Sequence, residues 1–150
     1  MVLVRNAGVL DQHVSLSPPL SDLQCAIGIR QLARYDSFLA RRREIAARYD
    51  SAISSKDSTF KRMQTGEGDL FRYVLTSKRT YDDVAQIFNQ SGIHIRRGVD
   101  ALLHRQDGLS DDNFPVATQL IEQTVSVPFY PSLQDCQVDR VVQVLERITT

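Results

Sequence analysis

LSDLQCAIGIRQLARYDSFLARRREIAARYDSAI, residues 20–53, carries apolar side chains three and four positions apart, the spacing that gathers side chains on one face of an α-helix. Ser21 is suited to cap a first helix with its hydroxyl, and Asp22 suits the positive end of the helix dipole. The polar patch at residues 34–37 interrupts the apolar stripe. The stretch therefore predicts two consecutive helices, over residues 21–33 and 36–54, rather than one long rod.

The rest of the chain mixes strand and helix patterns. Strands are predicted near residues 59–63, 70–77, 93–96 and 124–127. Helices are predicted over residues 80–92, from Asn113 onward and from Ser132 onward. Phe71 and Val116 are expected on inward faces, and Asn113 is expected to cap its helix. This order predicts an α+β fold: two leading helices, then a small, mostly antiparallel sheet covered by further helices.

Composition narrows the class of protein. The chain has 150 residues, enough for one domain with its own core, and its 18 basic residues balance 18 acidic ones. No overall field therefore favours nucleic acid or an anionic membrane, and neither is expected as a partner. No apolar run approaches the roughly 20 residues of a membrane helix, and no signal-peptide pattern opens the chain, so a cytoplasmic location is expected. Cys25 and Cys136 are expected to be small buried thiols rather than a disulfide.

The second predicted helix carries four arginines: Arg41, Arg42, Arg43 and Arg48. They are consistent with a phosphate-binding patch or with a solvated helix face, on which Glu44 pairs with Arg48. We interpret them as a solvated face, because the chain has no net positive charge behind them.

The segment S-D-L-Q-x-A-I-G-I-x-Q-L and the R-R-R-E-I-A-A-R-Y-D that follows it resemble the opening of the small C-terminal domain of the DegT-like sugar aminotransferases. Those are PLP-dependent enzymes of aminotransferase fold type I that act on nucleotide-linked keto-sugars. Later segments resemble the same family in the same order: G-I-H-I-R-R-G-V at residues 92–99, F-P-V-A-T-Q-L at 114–120, V-S-V-P-F-Y-P-S-L at 125–133 and D-R-V-V at 139–142. Several motifs in register indicate homology over essentially the whole chain.

The resemblance implies PLP chemistry for the family but not for this chain by itself. Amino transfer by PLP needs a lysine for the Schiff base, a carboxylate at the pyridine nitrogen and donors for the phosphate. In the family the lysine and that carboxylate belong to the large domain, upstream of the segments matched here. Lys56, Lys61 and Lys78 stand in polar surroundings and match no family lysine motif. No catalytic residue and no cofactor are therefore expected for this chain alone.

One cofactor contact of the family falls within the chain. The family motif G-Y-N-Y-R-M-S-D lies where this chain has SLSPPLSD, residues 15–22. In the family its asparagine reaches the PLP phosphate of the neighbouring subunit. Ser17 stands at that asparagine and Pro19 at the arginine, so the polar reach is shorter and the charge is lost. A serine hydroxyl can still bind a phosphate, which makes Ser17 the cofactor-binding candidate.

The substrate-side candidates lie on a predicted strand end and the loop after it, near the sugar side of the family's site. They are His94, Arg96, Arg97 and His104. The alternative interpretation is an exposed basic edge that discourages strand pairing. The three histidines have no Asp or Glu at ligand spacing, so no metal site is predicted.

These observations predict a lead-in segment over residues 1–19 and an aminotransferase-like small domain over residues 20–150, without the large PLP-binding domain. The chain would then be an excised or truncated product, inactive alone, whose partner is a second copy or a separate large domain. The alternative is a non-catalytic oligomerisation, ligand-binding or protein-interaction module that has kept the fold. Both predict exposed apolar surface at residues 1–4 and along one side of the leading helices.

Overall fold

The computed structural model describes residues 20–55, 58–63 and 71–149. The chain divides between Phe38 and Leu39 into two compact units. Residues 1–19, including the predicted site residue Ser17 and the apolar residues 1–4, lie outside the described residues, as does Lys56.

The described part of the first unit contains helix α1, Asp22–Leu32. Ser21 caps it as predicted: its hydroxyl accepts from the backbone N–H of Gln24 at 3.3 Å, and the Gln24 side chain accepts from the Ser21 N–H at 2.9 Å. This reciprocal pair satisfies two backbone donors that a helix start leaves free. No residue of α1 is buried, and its large apolar side chains are exposed, Leu23 by 71% and Ile27 by 54%. The predicted exposed apolar face is therefore present on this helix.

Helix α2 runs from Tyr35 to Ala52, after a break at Ala33 and Arg34. The predicted pair of helices is thus confirmed, with boundaries within two residues of those expected. Ile45 and Tyr49 of α2 are fully buried, and both belong to the core of the second unit.

The second unit continues with short strands and helices. Its elements are β1 (Phe60–Arg62), β2 (Tyr73–Ser77), α3 (Tyr81–Gln90), β3 (Arg96–Arg97), α4 (Leu103–Gln106), a 3₁₀ turn (Asp111–Asn113), α5 (Pro115–Gln123), β4 (Thr124–Val127) and α6 (Asp135–Thr149). The four strands form one sheet in the order β1-β2-β4-β3, and every pairing is antiparallel. The predicted α+β class, with two leading helices and a small antiparallel sheet, is confirmed.

The core lies between one face of this sheet and helices α2, α3 and α6. Alternate residues of β2 are buried there, and the apolar stripe of α6 packs beside them, with Val138 and Leu145 fully buried. Aromatic rings fill the middle: Tyr49 meets Tyr73 edge-on at 5.1 Å between centroids, and Tyr73 lies 5.8 Å from Phe129. The Tyr49 hydroxyl donates to the Pro128 carbonyl at 2.9 Å, so this buried polar group is satisfied.

Two of the arginines on α2 are tied to α6 rather than solvated. Arg41 donates to Asp135 at 2.7 Å and to the Leu133 carbonyl at 2.8 Å. Arg48 pairs with Asp139. The Arg41 guanidinium also holds the pKa of the Asp135 carboxyl below its usual range, because it stabilises the charged form. The interpretation as a solvated face is therefore wrong for Arg41 and Arg48, whereas Arg43 is exposed. The acidic partners of Arg41 and Arg48 lie some ninety positions away in the sequence, so the local pattern did not reveal them.

Several local expectations are also wrong. Phe71 precedes β2 and is 78% exposed, and Val116 is 70% exposed on α5. Asn113 ends the 3₁₀ turn instead of capping α5, and Ser110 caps that turn through the Asp112 N–H. Pairing in the third strand begins only at Arg96, since β4 offers partners at Ser126 and Val125 alone.

Both cysteines are free, and both are exposed rather than buried. Cys25 lies on α1, which buries no residue, and Cys136 lies on the outer side of the first turn of α6. Among the described residues, no helix has the length and apolar content needed to cross a membrane.

Candidate functional site

A cleft of about 680 Å³ opens in the second unit where β4 ends and β2 begins. Its walls come from the start of β2, the turn between α3 and β3, the segment after β4, and helices α2 and α6. The polar and aromatic lining residues are Arg42, Phe71, Arg72, His94, Arg96, Asp100, Ser126, Phe129, Tyr130, Gln137 and Arg140. We call it the arginine cleft, because four arginines and one aspartate supply the formal charge among its described lining residues.

The wall between α3 and β3 is shaped by a glycine turn. Gly92 has a φ of +68°, which favours glycine, and its N–H donates to the Asn89 carbonyl at 2.9 Å. The next N–H, of Ile93, reaches back to the Phe88 carbonyl at 3.0 Å. This pattern closes α3 and directs His94 into the cleft lining.

Two of the four arginines share one carboxylate, that of Asp100. Arg72 donates to Asp100 at 3.2 Å, to the Arg97 carbonyl at 2.7 Å and to the Ser126 hydroxyl at 3.3 Å. Arg96 shares the same aspartate at 3.3 Å, but its side chain is 76% exposed. Asp100 thus pairs with two guanidinium groups. Arg72 is held in place by three hydrogen bonds, whereas the Arg96 side chain is largely exposed.

The other two arginines, Arg42 and Arg140, have no carboxylate partner within the part of the chain that the structure describes. Arg42 is half-buried with its guanidinium over the Phe71 ring, 5.8 Å from the centroid, and its buried Nε has no hydrogen-bond acceptor among the described residues. Arg140 donates to the Ser91 carbonyl at 2.7 Å, at the C-terminal end of α3. The Ser91 carbonyl satisfies one N–H donor of Arg140, and the negative end of the α3 dipole favours its positive charge. Neither supplies a full negative charge that would neutralise Arg140.

The four residues predicted on the substrate side do not stay together. His94 and Arg96 are exposed and line the arginine cleft. Arg97 turns to the helices: it lies 4.1 Å from the Tyr81 ring centroid and donates to Asp82 at 3.1 Å and to the Ile121 carbonyl at 3.0 Å. The fourth, His104, is not among the residues that line the cleft.

His104 is buried in a cluster of its own. Its ring stacks on Phe114 with centroids 4.4 Å apart, and its Nε2 lies 3.0 Å from Asp111. Arg105 grips the same carboxylate with two bonds, at 2.9 and 2.7 Å. The Arg105 guanidinium and then His104 hold the pKa of Asp111 well below its usual range. This arrangement fixes His104 against its own loop.

The sequence did not single out Arg72 or Arg140. It grouped Arg42 with Arg41 and Arg48, which pair with carboxylates of α6 instead of lining the cleft. A polar residue beside a half-buried strand was the one available signal for Arg72. Nothing in the helical pattern of α6 distinguishes Arg140 from Arg147, which donates to the Ser91 hydroxyl.

The described residues do not fit a PLP-binding site. Lys61 and Lys78 are exposed and line a separate cleft beside the β1–β2 hairpin. The described residues of that lining include no Asp or Glu that could face a pyridine nitrogen. No lysine is among the described residues of the arginine cleft either. Across residues 20–55, 58–63 and 71–149, no group of three or more potential ligands could hold a metal ion.

Solved structures share this fold. The chain matches DesV from S. venezuelae, solved in complex with a ketimine intermediate, with a TM-score of 0.81 and 21% identity over 97% of this chain and 42% of that one. It matches the aminotransferase TlmJ from Streptoalloteichus hindustanus with a TM-score of 0.79 and 22% identity, at the same coverage. The α+β unit is therefore built like a portion of an aminotransferase.

The chain belongs to the DegT/DnrJ/EryC1/StrS aminotransferase family, whose sequence model matches residues 5–146. It is 28% identical to the spore coat polysaccharide biosynthesis protein SpsC of Bacillus subtilis, over 85% of this chain and 36% of SpsC. It is also 28% identical to dTDP-4-dehydro-2,3,6-trideoxy-D-glucose 4-aminotransferase of Saccharopolyspora spinosa, over 85% of this chain and 34% of that enzyme. The chain thus spans about a third of the length of these relatives.

Proposed function

We propose that this chain supplies the C-terminal small domain of a PLP-dependent sugar aminotransferase and transfers no amino group by itself. The observation that carries the proposal is the position of the lysines. The family match extends over residues 5–146, yet Lys61 and Lys78 are exposed on a hairpin outside the arginine cleft. A Schiff-base lysine needs a closed site with partners for the phosphate and the pyridine nitrogen. We infer that these partners come from a large domain and that no cofactor binds the chain alone.

Within the complete enzyme, we expect His94 and Arg96 to approach the substrate, since both are exposed in the cleft. Arg97 and His104 are expected to act as positioning residues. Their donors are already engaged, Arg97 by α3 and α5 and His104 by Asp111. Ser17 remains the candidate for a phosphate contact.

An amino-transfer assay tests the proposal. The chain is incubated with PLP, an amino-acid donor and a nucleotide-linked keto-sugar, beside the Saccharopolyspora spinosa relative acting on the keto-sugar in its name. The expected result is no turnover above that of free PLP for this chain, and turnover for the relative. Turnover that disappears when Lys61 or Lys78 is replaced by glutamine would overturn the proposal.

The second candidate function, a non-catalytic association module, is favoured by one observation. Helix α1 exposes Leu23 by 71%, Ile29 by 68% and Leu32 by 73%, and buries no residue. Exposed apolar surface of this kind favours contact with a partner. We therefore expect the purified chain to form a dimer or higher oligomer.

Sedimentation velocity over a range of concentrations checks this expectation. The double variant Leu23→Gln and Ile27→Gln is expected to shift the chain toward monomer. Val116→Gln, which replaces an equally exposed aliphatic residue on α5, is expected to leave the distribution unchanged. A monodisperse monomer at every concentration would count against association through α1.

A further inference from the structure

The arginines of α2 differ in their partners, and Arg42 differs from Arg41 and Arg48 in having no carboxylate partner among the described residues. Arg41 and Arg48 are matched by Asp135 and Asp139 on α6. Arg42, between them in sequence, points instead into the arginine cleft and has no carboxylate partner among the described residues. Arg42 is half-buried and its guanidinium lies over the Phe71 ring, so water screens its charge less than at an open surface.

Arg140 supplies a second such charge from α6. It lines the same cleft, and its bond to the Ser91 carbonyl is the one hydrogen bond found for it among the described residues. The chain as a whole has no net charge, whereas the described residues that line this cleft include four arginines and one aspartate. Positive charge is therefore concentrated here, where a concave wall focuses the field on an entering anion.

We propose that the arginine cleft binds a phosphate-type oxyanion between Arg42 and Arg140. Guanidinium groups present planar pairs of N–H donors that match phosphate oxygens, and such charge-assisted bonds are stronger than neutral ones. His94 and Arg96, exposed in the same lining, supply further donors. The volume of about 680 Å³ has room for a diphosphate that carries an organic group, which Phe71 and Tyr130 would flank.

This inference deepens the proposed function, and it rests on that function where the anion is the phosphate end of the sugar substrate that His94 and Arg96 are expected to approach. Binding of the anion itself requires neither PLP nor a large domain. The anion is a free phosphate or pyrophosphate, or the phosphate end of an organic molecule. These sources share one chemistry, and the binding test separates them.

Isothermal titration of the full chain with pyrophosphate at low salt tests the site. We expect one saturable equivalent, with affinity that falls as salt rises because the interaction is between charges. Arg42→Gln and Arg140→Gln are each expected to weaken binding by about tenfold or more, as loss of a charge-assisted hydrogen bond does. Arg79→Gln is the matched control, since Arg79 is an exposed arginine outside the lining of this cleft.

Asp100→Asn gives a result of the opposite sign. Removing the aspartate of the lining also frees Arg72 and Arg96, so affinity for pyrophosphate is expected to rise severalfold. A damaged fold cannot produce tighter binding, and this variant therefore keeps the proposal testable if Arg140→Gln disturbs the end of α3.

Titrations with orthophosphate and with a nucleoside diphosphate identify the source. If pyrophosphate binds as tightly as the nucleoside diphosphate, the site is one for the free anion. If the nucleoside diphosphate binds at least tenfold more tightly, the ligand is an organic phosphate. Absence of saturable binding by all three probes would overturn the proposal. So would equal losses for Arg79→Gln and Arg42→Gln, which would indicate non-specific attraction. Neither result depends on amino transfer, so failure here leaves the proposed function standing.

Discussion

Replacing Gly98 with alanine is expected to destabilise the second unit, and the structure gives the reason. Gly98 follows β3, and its N–H donates to the Thr124 carbonyl at 3.1 Å. A Cβ added there would lie 2.5 Å from the Thr124 Cβ and Oγ1, and 2.7 Å from the Val74 Cγ1. Carbon atoms in contact prefer about 3.5–4.0 Å, so the neighbours would have to move by about 1 Å.

Thr124 cannot yield easily. It is fully buried on β4, which is held between β2 and β3, and its hydroxyl donates to the Leu120 carbonyl. Forcing an extra carbon into a packed site costs about 1–3 kcal/mol. For a unit of this size, each kcal/mol lowers the thermal midpoint by about 4–8 °C. We therefore expect Gly98→Ala to lower the midpoint by at least about 4 °C.

Urea and thermal unfolding followed by circular dichroism measure this effect. Gly28→Ala is the matched control: Gly28 lies within α1, and nothing stands within 4 Å of its added Cβ. Alanine there is expected to be neutral or to favour the helix by about 0.5–1 kcal/mol. If Gly98→Ala were as stable as the parent chain, the close approach of β3 to β4 would be refuted. The glycine of the R-R-G motif would then need another explanation.

Two further predictions concern polar groups. Asp111→Asn is expected to lower stability at neutral pH. The pKa of this carboxyl is depressed in the folded chain from its ordinary value of 3.8, so its contribution is present above that value and is lost as the pH falls. Urea midpoints of parent and variant should therefore differ at pH 6 and converge toward pH 2, and a constant difference would contradict the account. Tyr49→Phe leaves the Pro128 carbonyl without its donor and is expected to cost about 1–3 kcal/mol in urea unfolding, whereas an unchanged midpoint would show that the hydroxyl bond is not formed.

Local sequence signals predicted the elements well. The two leading helices were predictable from the Ser21 cap and the polar break near residue 34, and the end of α3 from Gly92, because these signals act within a few residues. Strand β4, Thr124–Val127, was predicted with its exact bounds. Burial was less predictable. Phe71 and the two cysteines follow apolar patterns, yet tertiary packing leaves them exposed.

The site was harder to predict, because its residues are distinguished by partners distant in sequence. Arg41 and Arg42 are neighbours of the same type, yet Asp135 neutralises the first and the second faces the cleft. His104 follows the motif that contains Arg96, yet Asp111 and Phe114 hold it elsewhere. A single sequence identifies the family motif but does not show which of its polar side chains are engaged internally.

Trapping with PLP tests the central claim, that this chain does no PLP chemistry alone. The chain is titrated with PLP while its absorbance is followed, then reduced with borohydride, and the intact mass and the modified lysine are determined. The account predicts no saturable aldimine band, and any trapped label spread over Lys56, Lys61 and Lys78. A stoichiometric adduct on one of these lysines, abolished by its replacement with glutamine while the other two replacements leave it intact, would contradict the account and establish a cofactor site in this chain.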